Sequence, residues 1–228
     1  MMSQHELLKE FIRSLVKGNN TALIIKGEPG IGKSETIMDT LRQLGYEKNT
    51  HYKYINNFSA PYSFYKFLEK SENLQNPKLV ILDDVEEFLK QSKIVSILRS
   101  ALWAVDGKRQ VGWISGNKKS SFEFTGKIVI VLNRFDERVN LLNTIKDRSL
   151  FYEIRFTQDE LISLMRDRAT NMPYSTIEKE KRLEICEYVI QRSFDTKLSL
   201  RDLQKGYDLF LGSPENWKIL LEKQYTNE

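Results

Sequence analysis

This chain has little of several things, and each shortage narrows its chemistry. A single cysteine, Cys186, stands in 228 residues, so there is no disulfide framework and a reducing compartment is expected. The two histidines, His5 and His51, lie far apart without metal-ligand companions and read as structural. Apolar runs are short: those at 79–82 and 128–132 fall far below the length that crosses a bilayer. The first residues carry no basic segment followed by an apolar one, so no secretory leader is expected. A net charge of +4 permits nucleic-acid binding without demanding it. No internal repeat or low-complexity tract occurs. The expectation is a soluble cytoplasmic protein with no membrane partner. At 40% hydrophobic residues the chain can bury one large core, or a core and a small second domain.

What is present starts at Gly27-Glu28-Pro29-Gly30-Ile31-Gly32-Lys33-Ser34. This fits G-x-x-x-x-G-K-[ST], the phosphate-binding P-loop. The apolar run 21–26 ahead of it reads as a buried strand, and 34–44 behind it as a helix, which is the context the pattern requires. Glycines let the backbone turn around a phosphate chain. Amides at the helix start, with Glu35 following Ser34, point at the anion and add the positive end of the helix dipole. Lys33 reaches the β- and γ-phosphates, and Ser34 offers its hydroxyl to Mg2+.

Strand and helix patterns alternate to about residue 157. A helix with apolar residues from Leu7 to Val16 ends at Gly18. Strands are expected at 51–55, 78–84, 128–133 and 150–156. Helices are expected at 61–71, 86–105, 137–146 and 158–170, the last capped by Thr157 with Glu160 completing the capping box. Between them, 107–126 reads as a β-hairpin turning at Gly116-Asn117, with Phe122 and Phe124 as packing anchors. After Pro173 strand signals stop, and helices are expected at 175–192, 200–211 and 214–225. The expected fold class is α/β: a P-loop NTPase parallel sheet sandwiched by helices, with a C-terminal helical lid. The domains are then 1–157, the nucleotide-binding core, and 158–228, the lid.

In such a sheet ligands bind at the carboxyl ends of strands. Asp83-Asp84 and Asn133 both end apolar strands and can converge with the P-loop. Asp83 suits Mg2+ through hard oxygen coordination. Asp84 suits the orientation of an attacking water, a role for which Glu86 and Glu87 compete. Capping of the next helix is the competing reading for both aspartates. Asn133 can touch the γ-phosphate and position water.

The order of 27–34, 79–84, 128–133, Asp147-Arg148-Ser149 and a helical tail with Arg201 resembles the AAA+ ATPases, over nearly the whole chain. The resemblance implies ATP and Mg2+ as cofactors, with Walker A at the first segment, Walker B at Asp83-Asp84 and sensor 1 at Asn133. It implies that Arg148 is an arginine finger reaching a nucleotide held by a neighbouring copy, and that Arg201 is a sensor 2 residue acting in its own subunit. A homo-oligomer, by resemblance a hexamer, follows. The family usually carries Asp-Glu at Walker B where this chain has Asp-Asp.

The segment 106–119 is basic and interleaved with an aromatic. Arg109, Lys118 and Lys119 suit phosphates, and Trp113 suits stacking on a base. It resembles the pre-sensor-1 hairpin of hexameric helicases and of phage and mobile-element ATPases, which implies single-stranded DNA or RNA and a replication partner protein. The competing reading is a solvated basic turn with Trp113 in the core. The expected function is an oligomeric motor on nucleic acid, a replication helicase or helicase loader. Two alternatives are a protein-remodelling ATPase and an ATP-dependent assembly switch or scaffold. The tyrosines of 52–65 read as packing, and Cys186 as a small core residue.

Overall fold

Alternation along the apolar strands decides the architecture, because successive side chains on a strand point to opposite faces. The computed structural model describes residues 2–56, 60–116, 118–134, 140–192 and 198–225. Its first elements are α1 (Gln4–Lys17), β1 (Ala22–Gly27), α2 (Lys33–Gln43), β2 (Tyr52–Ile55), α3 (Pro61–Ser71) and β3 (Leu79–Asp83). Then come α4 (Glu86–Leu89), α5 (Ser92–Leu102), β4 (Gln110–Ser115), β5 (Lys118–Glu123), β6 (Lys127–Leu132), α6 (Asn140–Lys146) and β7 (Leu150–Ile154). Four helices close the chain: α7 (Gln158–Asn171), α8 (Lys179–Arg192), α9 (Leu200–Gly212) and α10 (Trp217–Tyr225).

Contacts divide the chain into two units: Met1–Glu28 with Lys33–Ile154, and Pro29–Gly32 with Arg155–Glu228. The first unit holds a five-stranded parallel sheet in the order β2-β3-β6-β1-β7. Ala22, Ile24, Val80, Leu82, Ile128 and Ile130 face one layer, packed on α3, α5 and α6. Leu23, Ile25, Leu79, Ile81, Val129 and Val131 face the other, packed on α1 and α2. Both faces are buried, which is why these strands read as unbroken apolar runs. With β1 between β6 and β7, the loop after β1 emerges at the carboxyl end of the sheet.

The expected helix 86–105 is two helices. Phe88 and Leu89 precede Ile94 and Val95 by six positions, about 120° out of phase on a continuous helix. A break with extended backbone at Gln91 lets all four be buried. The second helix also stops at Leu102, leaving Trp103 in extended backbone and 56% exposed.

The hairpin β4–β5 is antiparallel and pairs Val111 with Phe122, Trp113 with Ser120, and Ile114 with Lys119. Val111 and Phe124 are buried, and Phe122 packs on Tyr65. Asn117, expected in its turn, and residues 137–139, expected in a helix start, lie outside the described residues.

In the second unit, Thr157 and Glu160 form the capping box of α7. The helix expected from 175 begins only at Lys179. Tyr174 and Ile177 instead form an antiparallel bridge around Ser175, whose φ is 50°. The guanidinium of Arg182 closes this turn by donating to the carbonyls of Ala169 (3.0 Å) and Ile177 (2.8 Å). Cys186 on α8 is fully buried in the core of this unit, and burial pushes its thiol up to about 12. Among the described residues no helix is long and apolar enough to cross a membrane.

Candidate active site

Three loops at the carboxyl ends of β1, β3 and β6 supply the polar residues of the first unit. Lys33 opens α2 and is buried, its exposure 6%. Its Nζ donates to the carbonyls of Gly27 and Glu28, both at 2.7 Å, and to Oδ1 of Asn133 at 2.9 Å. Asn133 Nδ2 donates in turn to Asp84 Oδ1 at 2.6 Å. A cation, an amide and a carboxylate thus form one chain.

Asp83 ends β3 and is also buried. Its Oδ2 accepts from Ser34 Oγ at 2.5 Å and from the hydroxyl of Tyr54. Hydroxyl and carboxylate oxygens are the hard donor set that suits Mg2+, so the residues present fit that ion. Sequence reasoning assigned Tyr54 to packing; its ring does pack on the layer of Leu23 and Ile81, and the hydroxyl contact on Asp83 comes in addition. Only the pairing of β2 with β3 brings it there. Burial first, and the bond to Asp83 second, push the Tyr54 phenol well above its ordinary range.

Asp84 sits at φ 53°, a left-handed conformation unusual for a residue with a side chain. Aspartate tolerates it better than most. Its two competitors are engaged elsewhere. Glu86 Oε1 accepts from the backbone N–H of Asn133 at 2.5 Å, tying α4 to the end of β6. Glu87 pairs with Lys90 on the surface.

Arg148 follows α6 and does not join this cluster. Its guanidinium lies 4.8 Å from the ring centroid of Trp103, and its Nη1 donates to the Thr144 carbonyl. Its buried Nε has no hydrogen-bond partner. It lines an open groove of about 740 Å3 together with Arg99, Trp103, Val105 and Lys108.

The tip of the P-loop belongs to the second unit, as does Arg201 in the first turn of α9. The Leu200 N–H donates to the Gly30 carbonyl at 2.9 Å. Gly30 has φ 76°, and a Cβ there would meet Ser199 Cβ at 3.0 Å and Arg201 Cγ at 3.3 Å. Both conformation and space therefore demand glycine at this position.

Two of the four expected nucleic-acid contacts turn inward. Arg109 Nη1 donates to the Ala101 carbonyl at 3.1 Å, and its guanidinium covers Phe124 at 5.2 Å. Burial lowers its pKa. Trp113 packs against Tyr62 and Tyr65, at centroid distances of 5.3 and 6.0 Å. Alternation explains it: Val111 and Trp113 share the inner face, while Ile114 and Lys119 share the outer one. Lys119 is exposed; the side chain of Lys118 lies outside what is described. Ile114, which sequence reasoning did not select, is 70% exposed.

No protein-family model matches this sequence, and no curated protein matches it. Solved structures do. A mutant of RuvB from Thermotoga maritima superposes with a TM-score of 0.58 and 14% identity, covering 96% of this chain and 69% of RuvB. A second mutant of the same protein gives 0.58 at 12% identity, over 96% and 67%. PCH-2 of C. elegans gives 0.51 at 14% identity, over 99% and 67%. The likeness establishes a fold: this chain shares with RuvB and PCH-2 an α/β architecture, a parallel sheet between helices followed by a helical C-terminal region.

Proposed function

We propose that this chain is an AAA+ ATPase hydrolysing ATP with Mg2+, in an oligomer whose neighbouring copy supplies Arg148. The observation that carries the reading is the bond between Ser34 and Asp83, next in sequence to the Lys33–Asn133–Asp84 chain. A P-loop lysine, a metal carboxylate, a second carboxylate and a strand-end amide are the parts a phosphoryl-transfer site needs. Ser34 and Asp83 would hold Mg2+, whose charge offsets that of the phosphates. Lys33, bound to two loop carbonyls, would transfer its ammonium to the β- and γ-phosphate oxygens. Asp84, held by Asn133, would accept the proton of an attacking water, while Glu86 keeps its structural bond to the Asn133 amide. Arg148 would stabilise charge on the phosphoryl group from the next subunit. The core would be 1–157 and the lid 158–228, with Arg201 approaching the nucleotide in its own chain.

The finer reading is a cytoplasmic motor on single-stranded DNA or RNA, a replication helicase or its loader. It rests on the lysines at the hairpin tip, Lys118 and Lys119, now without Arg109 and Trp113. Exposed Ile114 opposite Lys119 favours a second reading, a protein-remodelling ATPase, because an apolar tip suits a polypeptide better than a phosphate chain. ATP turnover measured with and without single-stranded DNA, over a range of protein concentration, tests both. The motor reading expects stimulation by DNA, and the shared site expects specific activity to rise with concentration. Turnover indifferent to both would leave an ATPase complete in one chain; tight ATP binding without turnover would favour the assembly switch.

A further inference from the structure

The Walker-type carboxylate has a partner that the motif does not contain. Asp83 Oδ2 accepts two hydroxyl hydrogens, one from Ser34 in the P-loop and one from Tyr54 on the neighbouring strand. Ser34 is required by the pattern; Tyr54 is a feature of this chain. The parallel register sets Tyr54 beside Ile81 and Ile55 beside Leu82, so Tyr54 lies near the end of β2 while Asp83 lies at the end of β3. The tyrosine ring is half-buried against the layer that holds α1 and α2. The Lys48 ammonium lies 5.7 Å from the ring centroid. The hydroxyl is therefore carried on a ring fixed by its packing.

We propose that Tyr54 is a positioning residue for the metal carboxylate, fixing the orientation of Asp83 through its hydroxyl and thereby setting the affinity of the site for a divalent cation. The inference rests on the ATPase reading above. The physical reason is general. A ligating carboxylate that can rotate must lose that freedom when a cation arrives, and a hydrogen bond already made removes part of the loss. Partners of this kind typically change metal affinity or activity by about 10–100-fold when mutated. The geometry also allows both roles at once. Ser34 Oγ can offer a lone pair to a cation while its hydrogen stays on Asp83, and the Tyr54 bond to the same oxygen leaves the rest of the carboxylate for the ion or its waters.

The test uses the full chain and reads metal binding directly. Tyr54→Phe keeps the ring, its packing and its contact with Lys48, and deletes only the hydroxyl. Mn2+ binding in the presence of ADP is followed by electron paramagnetic resonance, and fluorescent ADP binding is measured separately in EDTA. The expected result is Mn2+ affinity weakened by about tenfold with metal-free ADP affinity unchanged. In turnover, the Mg2+ requirement rises while kcat at saturating Mg2+ recovers. Mn2+ affinity within twofold of the parent overturns the proposal, as does an equal loss of ADP binding in EDTA, which marks a merely structural tyrosine. Asp83→Asn is the control and should lose Mn2+ whatever Tyr54 does. A parent chain that binds neither ADP nor Mn2+·ADP overturns the ATPase reading itself, and this proposal with it.

Discussion

Lys33 Nζ and Asn133 Oδ1 lie 2.9 Å apart, a hydrogen bond between residues one hundred positions distant in sequence. The carbonyl of Asn133 faces a cation and its amide nitrogen faces the Asp84 carboxylate, so charge on both sides sets the orientation of the side chain. A ligand phosphate that draws Lys33 away would remove one of the two groups holding that amide. Asn133→Ala is therefore expected to lower kcat by about 10²–10³-fold, the range for a lost polar group that stabilises developing charge, with ATP affinity reduced far less. Equal losses in kcat and affinity, by single-turnover and binding measurements, would assign Asn133 to uniform binding instead.

Lys33→Ala is expected to abolish nucleotide binding in a fluorescent-ATP titration. The same substitution removes the ammonium that donates to the Gly27 and Glu28 carbonyls, so the variant's melting temperature should be read alongside. ATP affinity unchanged in a folded variant would sink the P-loop assignment.

Asp84→Asn should bind ATP yet turn it over slowly, and Glu86→Gln should act differently. Glu86 accepts the backbone N–H of Asn133, and a glutamine oxygen keeps that bond without its charge, so the replacement should lower stability by only about 1 kcal/mol while the folded fraction keeps turning over. The reverse pattern in steady-state rates would transfer the water-orienting role to Glu86.

Arg148→Ala should reduce turnover by about 10³–10⁵-fold if the guanidinium acts as an arginine finger. Mixing it with Lys33→Ala subunits should restore activity at interfaces that pair an intact pocket with an intact arginine. Absence of recovery at every mixing ratio would argue against a site shared between copies.

The hairpin separates packing from contact. Trp113→Ala should lower stability by on the order of 3 kcal/mol through lost aromatic burial against Tyr62 and Tyr65. The pair Lys118→Ala with Lys119→Ala should leave stability unchanged, weaken single-strand binding and flatten its salt dependence. Ile114→Ser should leave DNA binding intact and weaken capture of an unfolded polypeptide if the remodelling reading holds.

Glu72 gives the expected dependence of stability on pH. Burial opposes its ionisation, but hydrogen bonds from Thr125 and the Lys78 ammonium outweigh burial and hold its carboxyl below the usual range. The folded value is thus lower than the unfolded one. Its contribution is complete above about pH 4.3, the ordinary glutamate value, and is lost as pH falls through the folded value. Chemical denaturation of Glu72→Gln should show a deficit at pH 7 that shrinks toward pH 3; a constant deficit would deny the linkage.

The sequence by itself determined the strands and the phosphate loop, because both are local. Apolar runs at 79–82 and 128–132 need only burial on both faces to become central strands. The glycine spacing of 27–34 needs only the strand before it and the helix after. Composition set the rest of the frame: a lone cysteine in a core and no long apolar run. Pairings between distant strands were decided only in three dimensions. Tyr54 reaches Asp83 because β2 lies beside β3 in a particular register, and nothing within reach of Tyr54 in the sequence marks it. Two residues that composition offered as nucleic-acid contacts, Arg109 and Trp113, were claimed by neighbours: the end of α5 offers an unsatisfied carbonyl, and the aromatics of α3 leave a place for an indole. The strand period then fixed which residues of the hairpin face outward, exposing Ile114 and Lys119. A motif records which groups are available; the packing around each decides which of them are left free to act.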